Sequence, residues 1–291
     1  MPCTECNLCE TPGTLAEASG IARVSSNLRK FRQEQFTVWR CSNCQSLHSK
    51  EDVDLGYYYA HYYLGNHQLD YFSRCSYRSR LQKLMRQGFC LEHSLLDYGC
   101  GPGLFVTYLR EKGHADVAGY DPYVPDMADP RRLERQYDVV TAFDVIEHDA
   151  DPQQFLQRLL SFVKPGGLLV IGTPNAETID LQKPQTVELH QPYHRHILSQ
   201  RILEALGRQL GLQVLEVQNR YYMDTLFPAV NTRFIWEYVY AHGGVLDATM
   251  EPAQVGRVLT SPRLLFFAVA GYFFPPRQSM LVFFRKPMVS Q

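Results

Sequence analysis

Short apolar runs alternate with amphipathic stretches through the middle of the chain. Residues 94–110 pass from an apolar strand pattern, through three glycines, into a pattern with helical spacing. Strand-like apolar runs recur at 137–143 and 167–174, and the segment between them has helical spacing with Pro152 in its first turn. This alternation predicts an α/β domain with a doubly wound, mostly parallel sheet, whose ligand sites lie at the carboxyl ends of the strands.

The same alternation continues towards the end of the chain. Ser199 is placed to cap a helix over 199–211, and 212–217 follows as a strand. Residues 279–287 are the expected last strand of the sheet. The apolar and charged contents are those of an ordinary globular protein, and 291 residues suffice for one large domain or two modest ones.

Charge and targeting signals narrow the class of protein. The formal net charge of −1 provides no long-range attraction for a polyanion, so nucleic acid is not the expected partner. The first residues, MPCTECNLCE, lack the basic and apolar stretches of a secretory signal, and we expect a cytoplasmic protein. The longest apolar run, 264–274, is shorter than the roughly 20 residues that span a bilayer, so we expect no membrane span.

Two C-x-x-C pairs lie near the N-terminus, Cys6 with Cys9 and Cys41 with Cys44. Each pair has the spacing with which two thiolates bind one tetrahedral ion, and two pairs complete a closed shell of four thiolates. We therefore predict a structural zinc site, with Cys3 as an alternative to Cys6. A redox dithiol is the competing interpretation, but it lacks the strand-helix context that such a motif needs.

The segment between the two cysteine pairs is basic and strand-like. It contains Arg23, Arg29, Lys30 and Arg32, followed by the run FTVWRC. Zinc ribbons of this kind often bind nucleic acid, so an RNA-binding role stays open. A solvated basic face, or a docking surface for an anionic group of a substrate, fits the same residues.

Three glycines, Gly99, Gly101 and Gly103, separate strand from helix in 94–110. Glycine allows positive φ and a close approach of ligand to backbone, and the start of the helix offers unpaired N–H groups. The dinucleotide pattern G-x-G-x-x-G fails in both registers, because Leu104 or Val106 stands where a glycine is required. A dinucleotide-dependent oxidoreductase is therefore disfavoured.

The next predicted strand, VAGYD, ends in Asp121. An acid at this position can accept hydrogen bonds from both hydroxyls of a ribose. Together with the glycine turn, Asp121 predicts a nucleoside ligand that lacks a diphosphate.

Five motifs, in this order, resemble those of the class I S-adenosylmethionine-dependent methyltransferases. They are LLDYGCGPGLFVTYL, VAGYDP, YDVVTAFDVIEH, FVKPGGLLVIGTPN and HRHILSQRILEALGRQLGLQVLEV. The resemblance covers roughly residues 55–220 and is strongest to the branch of the ubiquinone-type O-methyltransferases, whereas the cysteine-bearing leader is similar to that of sugar C-methyltransferases. It implies a seven-stranded Rossmann-like sheet and S-adenosylmethionine as cofactor.

The resemblance also implies cofactor-binding residues. The glycine turn holds the methionine part of the cofactor, Asp97 orients its amino group, and Asp121 binds the ribose. The adenine site of the family includes an acid after the third strand, here near Asp126 or Asp129, and an apolar side chain, here Phe143. The segment after Asp121 is shorter than in the family, and both acids also fit as turn residues beside prolines.

A tyrosine-rich segment, 57–72, precedes the core. The resembling family often covers its bound cofactor with a tyrosine from this region, here Tyr63 or Tyr71, whose ring face would attract the positive sulfonium. Packing of amphipathic helices explains the same tyrosines without a function.

The strand 137–143 leads into the acidic sequence FDVIEHDADP at the mouth of the expected site. As a metal site, Asp144, Glu147 and His148 provide two carboxylates and one imidazole, and some methyltransferases of the resembling family use a similar E-x-x-E-H group with Mg²⁺. Oxygen-rich ligation favours Mg²⁺ or Mn²⁺, whereas several imidazoles favour Zn²⁺. A later histidine is the candidate fourth ligand: His190, His194 or His196.

Two other interpretations of FDVIEHDADP stay open. As a proton-transfer site, His148 accepts the proton of a substrate hydroxyl, with Glu147 or Asp144 orienting its ring. His194 and His196 are the alternative bases. As a structural feature, the same polar residues only cap the helix that follows them.

Residues 221–278 form an insertion that a bare methyltransferase core does not need. It contains an apolar run at 264–274 and a number of aromatic residues, among them Phe227, Phe234, Trp236, Tyr238 and Tyr240. We expect a helical cap that forms the acceptor pocket, an apolar homodimer surface, or both. Ordinary helix packing against the sheet is the competing explanation.

We expect five segments: a zinc-binding module at 1–50, a tyrosine-rich helical leader at 51–90, a cofactor-binding core at 91–220, the cap at 221–278 and the last strand at 279–291. The predicted function is methyl transfer from S-adenosylmethionine to a small biosynthetic molecule, partly apolar or with an anionic group, onto oxygen in preference to carbon. The alternatives are C-methylation of a nucleotide-linked sugar or carrier-bound substrate, and an RNA-binding or RNA-modifying protein that uses the ribbon.

Overall fold

The computed structural model describes residues 3–61, 68–183 and 186–288. Its strands, in chain order, are β1 (Gly20–Ser25), β2 (Gln35–Arg40), β3 (Leu47–Ser49), β4 (Leu95–Tyr98), β5 (Val117–Tyr120), β6 (Tyr137–Phe143), β7 (Val163–Pro174), β8 (His196–Ile197), β9 (Gln213–Gln218) and β10 (Ser279–Arg285). Its α-helices are α1 (Leu55–Tyr59), α2 (Tyr71–Arg86), α3 (Leu104–Glu111), α4 (Pro152–Ser161), α5 (Gln200–Gln209), α6 (Thr232–Ala241), α7 (Val255–Thr260) and α8 (Pro262–Ala270).

Six strands form the central sheet of the described residues, in the order β5-β4-β6-β7-β10-β9. β4 pairs in parallel with β5 and with β6, and β6 pairs in parallel with β7. β10 is antiparallel to both β7 and β9, so it alone runs against the others. The predicted doubly wound, mostly parallel α/β sheet is confirmed.

The expectation of seven strands is wrong for the described sheet. Between β5 and β6 the chain forms two short 3-10 turns, Pro125–Met127 and Pro130–Leu133, each of which begins with a proline. Proline has no N–H for a strand ladder, and so short a segment has no room for both a helix and a further strand. β5 is therefore an edge of the sheet.

Helices cover both faces of the central sheet. On one face, Leu156 of α4 and Leu203 of α5 are fully buried in the same apolar cluster as Leu96 of β4. On the other face, Leu84 of α2 and Leu109 of α3 pack in a second cluster. Within each helix the buried apolar residues recur at helical spacing, which is why these segments fold as amphipathic helices.

Two predicted helix starts are confirmed. The Asp151 carboxylate accepts a hydrogen bond from the backbone N–H of Gln154 at 3.0 Å, and the Ser199 hydroxyl accepts one from the N–H of Ile202 at 3.3 Å. Each cap satisfies an N–H group that the first turn of a helix leaves unpaired. The caps determine where α4 and α5 begin relative to the strand ends.

A second sheet is antiparallel and has the order β1-β2-β3-β8. Its first three strands come from the cysteine-bearing segment, whereas β8 follows β7 in the chain, and His48 pairs with His196 in the ladder. Arg40 also donates to the carbonyl of Ala176 at 2.8 Å. The N-terminal segment is thus joined to the later chain through a shared sheet.

The insertion after β9 contains three helices. α6 packs on α8 through Tyr238 and Leu264, which are buried together in one cluster. Asn231 caps α6, and its amide donates to the carbonyl of Phe267 at 3.1 Å. Within the described ranges, no helix combines the length and the apolar character that crossing a bilayer requires.

Candidate functional site

The turn between β4 and α3 is built from glycines in the left-handed region, with φ of 74° at Gly99, 53° at Gly101 and 75° at Gly103. A Cβ on Gly99 would lie 2.3 Å from Cγ2 of Val145, so no larger residue fits there. A Cβ on Gly101 would meet no atom within 4 Å, because this residue faces an open cavity. The backbone of the turn is therefore free to contact a ligand.

Asp121 connects the glycine turn to the end of β5. Its Oδ2 accepts a hydrogen bond from the N–H of Gly101 at 3.0 Å, and its Oδ1 accepts one from the N–H of Tyr123 at 2.9 Å. These bonds hold the carboxylate at the cavity, and each oxygen keeps a further lone pair. The carboxylate suits a ligand that presents two neighbouring hydroxyls.

One cavity of about 360 Å³ brings cofactor and catalytic candidates together. Its wall includes six residues singled out from the sequence: Gly99, Gly101, Asp121, Asp144, His148 and His190. It lies at the carboxyl ends of the parallel strands, as expected for such a sheet. Side chains that the sequence did not single out also line it: Tyr59, Tyr123, Phe155, Arg158 and Tyr193.

Three predicted cofactor residues lie beside this cavity without lining it. At Gly103, a methionine side chain occupies the space where a Cβ would stand. Asp97 is buried in β4, where the Thr141 hydroxyl donates to it at 2.6 Å and burial raises its pKa. The ring of Phe143 packs with its centroid 4.5 Å from that of Tyr222 and does not line the cavity.

The predicted covering tyrosine and the predicted adenine acids are not found at the cavity. Tyr63 lies outside the described residues, and its alternative, Tyr71, is 61% exposed and does not line the cavity. Asp126 is exposed, and Asp129 accepts a hydrogen bond from the N–H of Arg131 at 3.1 Å as the cap of a 3-10 turn. Both acids occupy turn positions.

Asp144 directs its carboxylate towards two tyrosines. Its Oδ2 accepts hydrogen bonds from the hydroxyls of Tyr221 at 2.6 Å and Tyr222 at 2.8 Å, and its backbone φ is 53°. Burial raises the pKa of Asp144, whereas the two hydroxyls lower it. Asp144 does not join Glu147 and His148 in one ligand set, so the predicted Mg²⁺ group of these three residues is not assembled.

Glu147 and His194 face each other beneath the cavity. The hydroxyl of Thr173 donates to Oε2 of Glu147 at 3.0 Å, while Oε1 has no hydrogen-bond partner in the described residues and lies 3.8 Å from Nε2 of His194. Nδ1 of His194 donates to the carbonyl of Glu188 at 2.7 Å, which leaves Nε2 as an acceptor. Burial raises the pKa of Glu147 well above its ordinary value and lowers that of His194. Burial therefore favours the uncharged form of both groups.

His148 stands at the cavity wall as a neutral imidazole. Its Nδ1 lies 2.9 Å from the hydroxyl oxygen of Tyr59, and burial lowers its pKa to about 4. A neutral ring can accept a proton from a bound molecule. Ligand atoms of Glu147, His148 and His194 lie within 4.8 Å of one another, so these three residues form one polar cluster.

The two remaining candidate histidines have different surroundings. His196 lies in the second sheet, where its Nδ1 is 2.9 Å from Nδ1 of His48 and its Nε2 is 3.2 Å from the carbonyl oxygen of Ala150. It does not line the cavity and is not placed to act there as a base. His190 does line the cavity, and its Nδ1 lies 2.5 Å from Oδ1 of Asn27.

Several tyrosines that the sequence did not assign belong to this region, among them Tyr59, Tyr193, Tyr221 and Tyr222. Tyr221 and Tyr222 come shortly after β9 at its carboxyl end, and that position was a usable signal in a parallel sheet. Tyr59 and Tyr193 carry no such signal, because only long-range packing brings their segments to the cavity.

The cysteines of the two C-x-x-C pairs converge on one point. The distances between Sγ atoms are 3.6 Å for Cys6–Cys44, 3.6 Å for Cys6–Cys9 and 3.9 Å for Cys9–Cys41. Sulfurs that surround zinc tetrahedrally at about 2.3 Å lie about 3.8 Å apart. Hydrogen bonding, from Cys6 above all, lowers the pKa of the Cys44 thiol. The donors and their spacing fit a closed zinc site.

The cysteine module touches the candidate site. Cys3 lies outside the four-sulfur cluster, beside two histidines of the second sheet. The amide of Asn7, within the first C-x-x-C pair, donates to the carbonyl of Ala150 at 3.1 Å. Because Ala150 follows the turn that carries His148, the module supports that turn directly.

Known proteins similar to this chain include methyltransferases. A family model described as "Methyltransferase domain" matches residues 66–217, more than half of the chain. A ubiquinone biosynthesis O-methyltransferase of Bradyrhizobium sp. strain ORS 278 is 34% identical over 104 residues, 28% of this chain and 40% of that protein. The Yersinia pestis (strain Pestoides F) protein of the same name is 30% identical over 117 residues, 33% of this chain and 48% of that protein. The chain thus spans less than half the length of these curated relatives.

Solved methyltransferase structures are similar at a lower level. An S-adenosylmethionine-dependent methyltransferase from Mesorhizobium loti is 14% identical with a TM-score of 0.42, over 71% of this chain and 97% of that chain. Coclaurine N-methyltransferase bound to N-methylheliamine and SAH is 14% identical with a TM-score of 0.43, over 72% of each chain. Likenesses at these scores add nothing to the strand order described above.

Proposed function

Because this chain belongs to the methyltransferase domain family, we propose that it transfers a methyl group from S-adenosylmethionine to a hydroxyl oxygen of a small molecule. The observation that carries the proposal is the single cavity in which the glycine turn and Asp121 meet His148. A nucleoside site beside a proton acceptor is what such a transfer requires. The O-methyltransferase names of the similar curated proteins support oxygen as the receiving atom.

The residues at the cavity suit the cofactor. The open space beside Gly101 would take the methionine part, and the Asp121 carboxylate would bind the ribose hydroxyls. The ring of Tyr123, stacked with its centroid 4.6 Å from that of Tyr59, offers an aromatic face for adenine. S-adenosylmethionine supplies a methyl group that its sulfonium charge activates.

His148 is the proposed proton acceptor. Its imidazole is uncharged at neutral pH, so it can take the proton that the acceptor hydroxyl loses. Tyr59 holds the ring through its contact with Nδ1. Glu147 and His194 do not line the cavity, and we assign them a positioning role behind the ring.

The acceptor is proposed to be partly apolar. Tyr59, Phe155 and Tyr193 give the cavity an aromatic wall, which suits a planar or apolar molecule. A phenol is the simplest acceptor of this kind, because its hydroxyl, with a pKa of about 10, loses a proton far more readily than an alcohol does.

Calorimetry tests the proposal directly. Titration of the purified protein with S-adenosylhomocysteine and, in parallel, with NAD⁺ should show binding of the first ligand alone. Gly101→Val should abolish that binding, because a branched side chain at positive φ is strained and fills the cavity. Labelled S-adenosylmethionine with a panel of phenols, followed by NMR of the product, then locates the methyl group. Binding of NAD⁺ alone, or a methyl group on carbon, contradicts the proposal.

We also propose that the four-sulfur cluster holds a structural zinc ion. Four thiolate ligands leave no open coordination position, so the ion would stabilise the module and would not activate water. Through Asn7 and β8, that stability would extend to the turn after His148.

One observation favours a second candidate, C-methylation of a nucleotide-linked sugar or carrier-bound substrate. A separate cavity of about 150 Å³ is lined by Arg23, Arg32 and Asn27. Asn27 contacts His190, which lines the main cavity, so an anionic group bound by the arginines would lie next to the proposed site. Under this candidate, Arg23→Gln with Arg32→Gln raises KM for a nucleotide-linked sugar and leaves KM for a simple phenol unchanged.

The RNA-binding alternative has less support. Arg29 pairs with Glu251 at 2.5 Å, and Arg40 donates to the carbonyl of Ala176, so both cations already have partners within the protein. Filter binding of the full chain to RNA at two salt concentrations tests the alternative, and salt-sensitive affinity would restore it.

A further inference from the structure

Helices α7 and α8 expose an apolar face to solvent. Seven apolar side chains in and just after these helices are between 40% and 69% exposed; they are Val255, Leu259, Leu265, Phe266, Val269, Phe273 and Phe274. We call these seven residues the α7–α8 face. Contiguous exposed apolar surface of this kind marks an interaction site.

The internal packing of the cap does not use this face. α8 attaches to α6 through Leu264, which is buried in one cluster with Tyr238. The neighbouring Phe266 and Val269 remain 52% and 69% exposed, because they point away from α6. The α7–α8 face is therefore left for a partner.

The segment that carries the face is cationic. Residues 252–278 contain Arg257, Arg263 and Arg277 and no aspartate or glutamate. Arg263 pairs with Glu237 at 2.6 Å, whereas Arg257 and Arg277 have no ion pair in the described ranges. An apolar surface whose own segment contributes cations and no acids complements a partner that is apolar and anionic.

A cation-lined cleft of about 580 Å³ borders the face. Arg78, Lys83, Arg86 and Arg220 line it, with Asp224 as its one acidic residue among those described. The Lys83 ammonium donates to a backbone carbonyl at 2.9 Å and has no ion pair in that part of the chain. The cleft therefore has an excess of positive charge that a phosphate group would neutralise.

Tyr272 connects the cleft to the face. It lines the cleft, and the guanidinium of Arg220 lies 4.0 Å from the centroid of its ring. Phe273 and Phe274 of the face follow it in the chain. Leu226, which is 63% exposed, lines the same cleft. Apolar and cationic surfaces are thus continuous.

We propose that the α7–α8 face docks on a bilayer that contains anionic phospholipids, with its apolar side chains in the interfacial layer and a lipid phosphate in the cleft. Apolar burial provides the affinity, and the cations select anionic lipid. The proposal does not depend on methyl transfer. A second copy of the chain is the competing occupant, but a two-fold interface would set the arginines of one copy against those of the other with no acid of the segment between them.

Vesicle flotation of the full-length protein tests the proposal. We expect binding to vesicles of phosphatidylcholine with phosphatidylglycerol, weakened by added salt, and none to phosphatidylcholine alone. Phe266→Ser with Phe273→Ser should weaken binding by at least about ten-fold, because each buried ring contributes more than that factor. The matched control, Ile21→Ser with Leu91→Ser, changes residues that are 57% and 54% exposed elsewhere and should bind as the parent does.

The charged part of the surface has its own test. Lys83→Gln with Arg86→Gln should reduce the preference for anionic vesicles, and an unchanged preference removes the cleft from the proposal. Failure to bind either vesicle, or equal binding by the phenylalanine variant and the parent, overturns the proposal as a whole. So does a parent dimer in sedimentation equilibrium that the phenylalanine variant dissociates. A different outcome is that inorganic phosphate raises the melting temperature of the parent but not that of the Lys83 variant, while vesicles fail to bind. That result would make the cleft a site for a soluble anion.

Discussion

The hydroxyl oxygen of Tyr59 lies 2.9 Å from Nδ1 of His148. Tyr59 ends α1 in the tyrosine-rich leader, whereas His148 ends the turn after β6, so the contact joins two segments that are far apart in sequence. Tyr59 also stacks on Tyr123, close to Asp121 at the end of β5. The leader therefore touches both the proposed nucleoside site and the proposed proton acceptor.

Removal of the proposed base should slow turnover without loss of cofactor affinity. His148→Gln keeps a polar side chain but cannot take up a proton, and we expect kcat to fall by about 10² to 10⁴. Tyr59→Phe, which loses only the contact to Nδ1, should have a smaller effect. Steady-state kinetics and calorimetry with S-adenosylhomocysteine measure the two quantities. Unchanged kcat in His148→Gln would assign the proton transfer to another group.

Activity should persist at mildly acidic pH. A base works only while it is unprotonated, and a pKa of about 4 keeps His148 neutral as the pH falls from about 7 to about 5. An unperturbed histidine would lose half of its activity near a pH of about 6.5. The measurement is kcat/KM as a function of pH, with circular dichroism to verify that the protein stays folded. An acid limb centred near the unperturbed value would contradict the assignment of His148.

The carboxylate at the end of β5 should decide cofactor affinity. Asp121→Asn removes the charge from hydrogen bonds of about 1.5–3 kcal/mol each, so S-adenosylhomocysteine should bind about 10- to 100-fold more weakly. Asp126→Asn is the matched control, because this acid is exposed and lies outside the cavity. Calorimetry should show parental affinity for the control, and equal losses in both variants would point to a general charge effect.

Loss of one thiolate should release the proposed zinc ion. Cys44→Ser should lower the zinc content measured by mass spectrometry to well below one ion per chain, and should lower the melting temperature by several degrees. Cys90→Ser, outside the four-sulfur cluster, should change neither quantity. A parent protein that is purified without zinc and melts normally in a chelator would rule out the site.

Glu188 should make stability depend on pH. It accepts a hydrogen bond from Nε1 of Trp236 at 2.7 Å, and burial raises its pKa to about 7 from an ordinary value of 4.5. The folded protein then holds a proton that the unfolded chain releases, so the stabilising contribution of Glu188 is lost as the pH rises from 4.5 to about 7.

Glu188→Gln carries no charge at any pH and removes this dependence. Relative to the parent, its free energy of unfolding should rise by about 1.4 kcal/mol per pH unit within the window, and the difference should then stay constant above it. Urea unfolding of both proteins across this range measures the difference. A difference that does not change with pH would show that Glu188 is already ionised in the fold.

Features encoded within short stretches of sequence were predictable. The periods of apolar residues predicted the strands and helices of the core, and Pro152 in a first turn and the cap at Ser199 predicted two helix starts. The glycine turn and Asp121 belong together because consecutive parallel strands place their ends side by side. The C-x-x-C spacing likewise indicated the four-sulfur cluster, since each pair needs only a local turn.

Features that depend on packing between distant segments were decided by the tertiary structure. Asp144, which the sequence grouped with Glu147 and His148 as a metal ligand, is instead hydrogen-bonded to Tyr221 and Tyr222 from beyond β9. No local pattern could have shown this, because the direction of a side chain depends on what packs against it. The exposed side of α8 is similar, since its run of apolar residues is compatible with a core helix.

The histidines after β7 show most clearly the difference between what the sequence predicts and what the tertiary structure decides. His194 and His196 are the same residue type two positions apart, so the sequence determined that an imidazole was available but not which one. Pairing of β8 with β3 set His196 against His48, while the carbonyl of Glu188 held Nε2 of His194 towards Glu147. The sequence determines which chemical groups are present, but their relative directions come from long-range pairing that no single stretch of the chain contains.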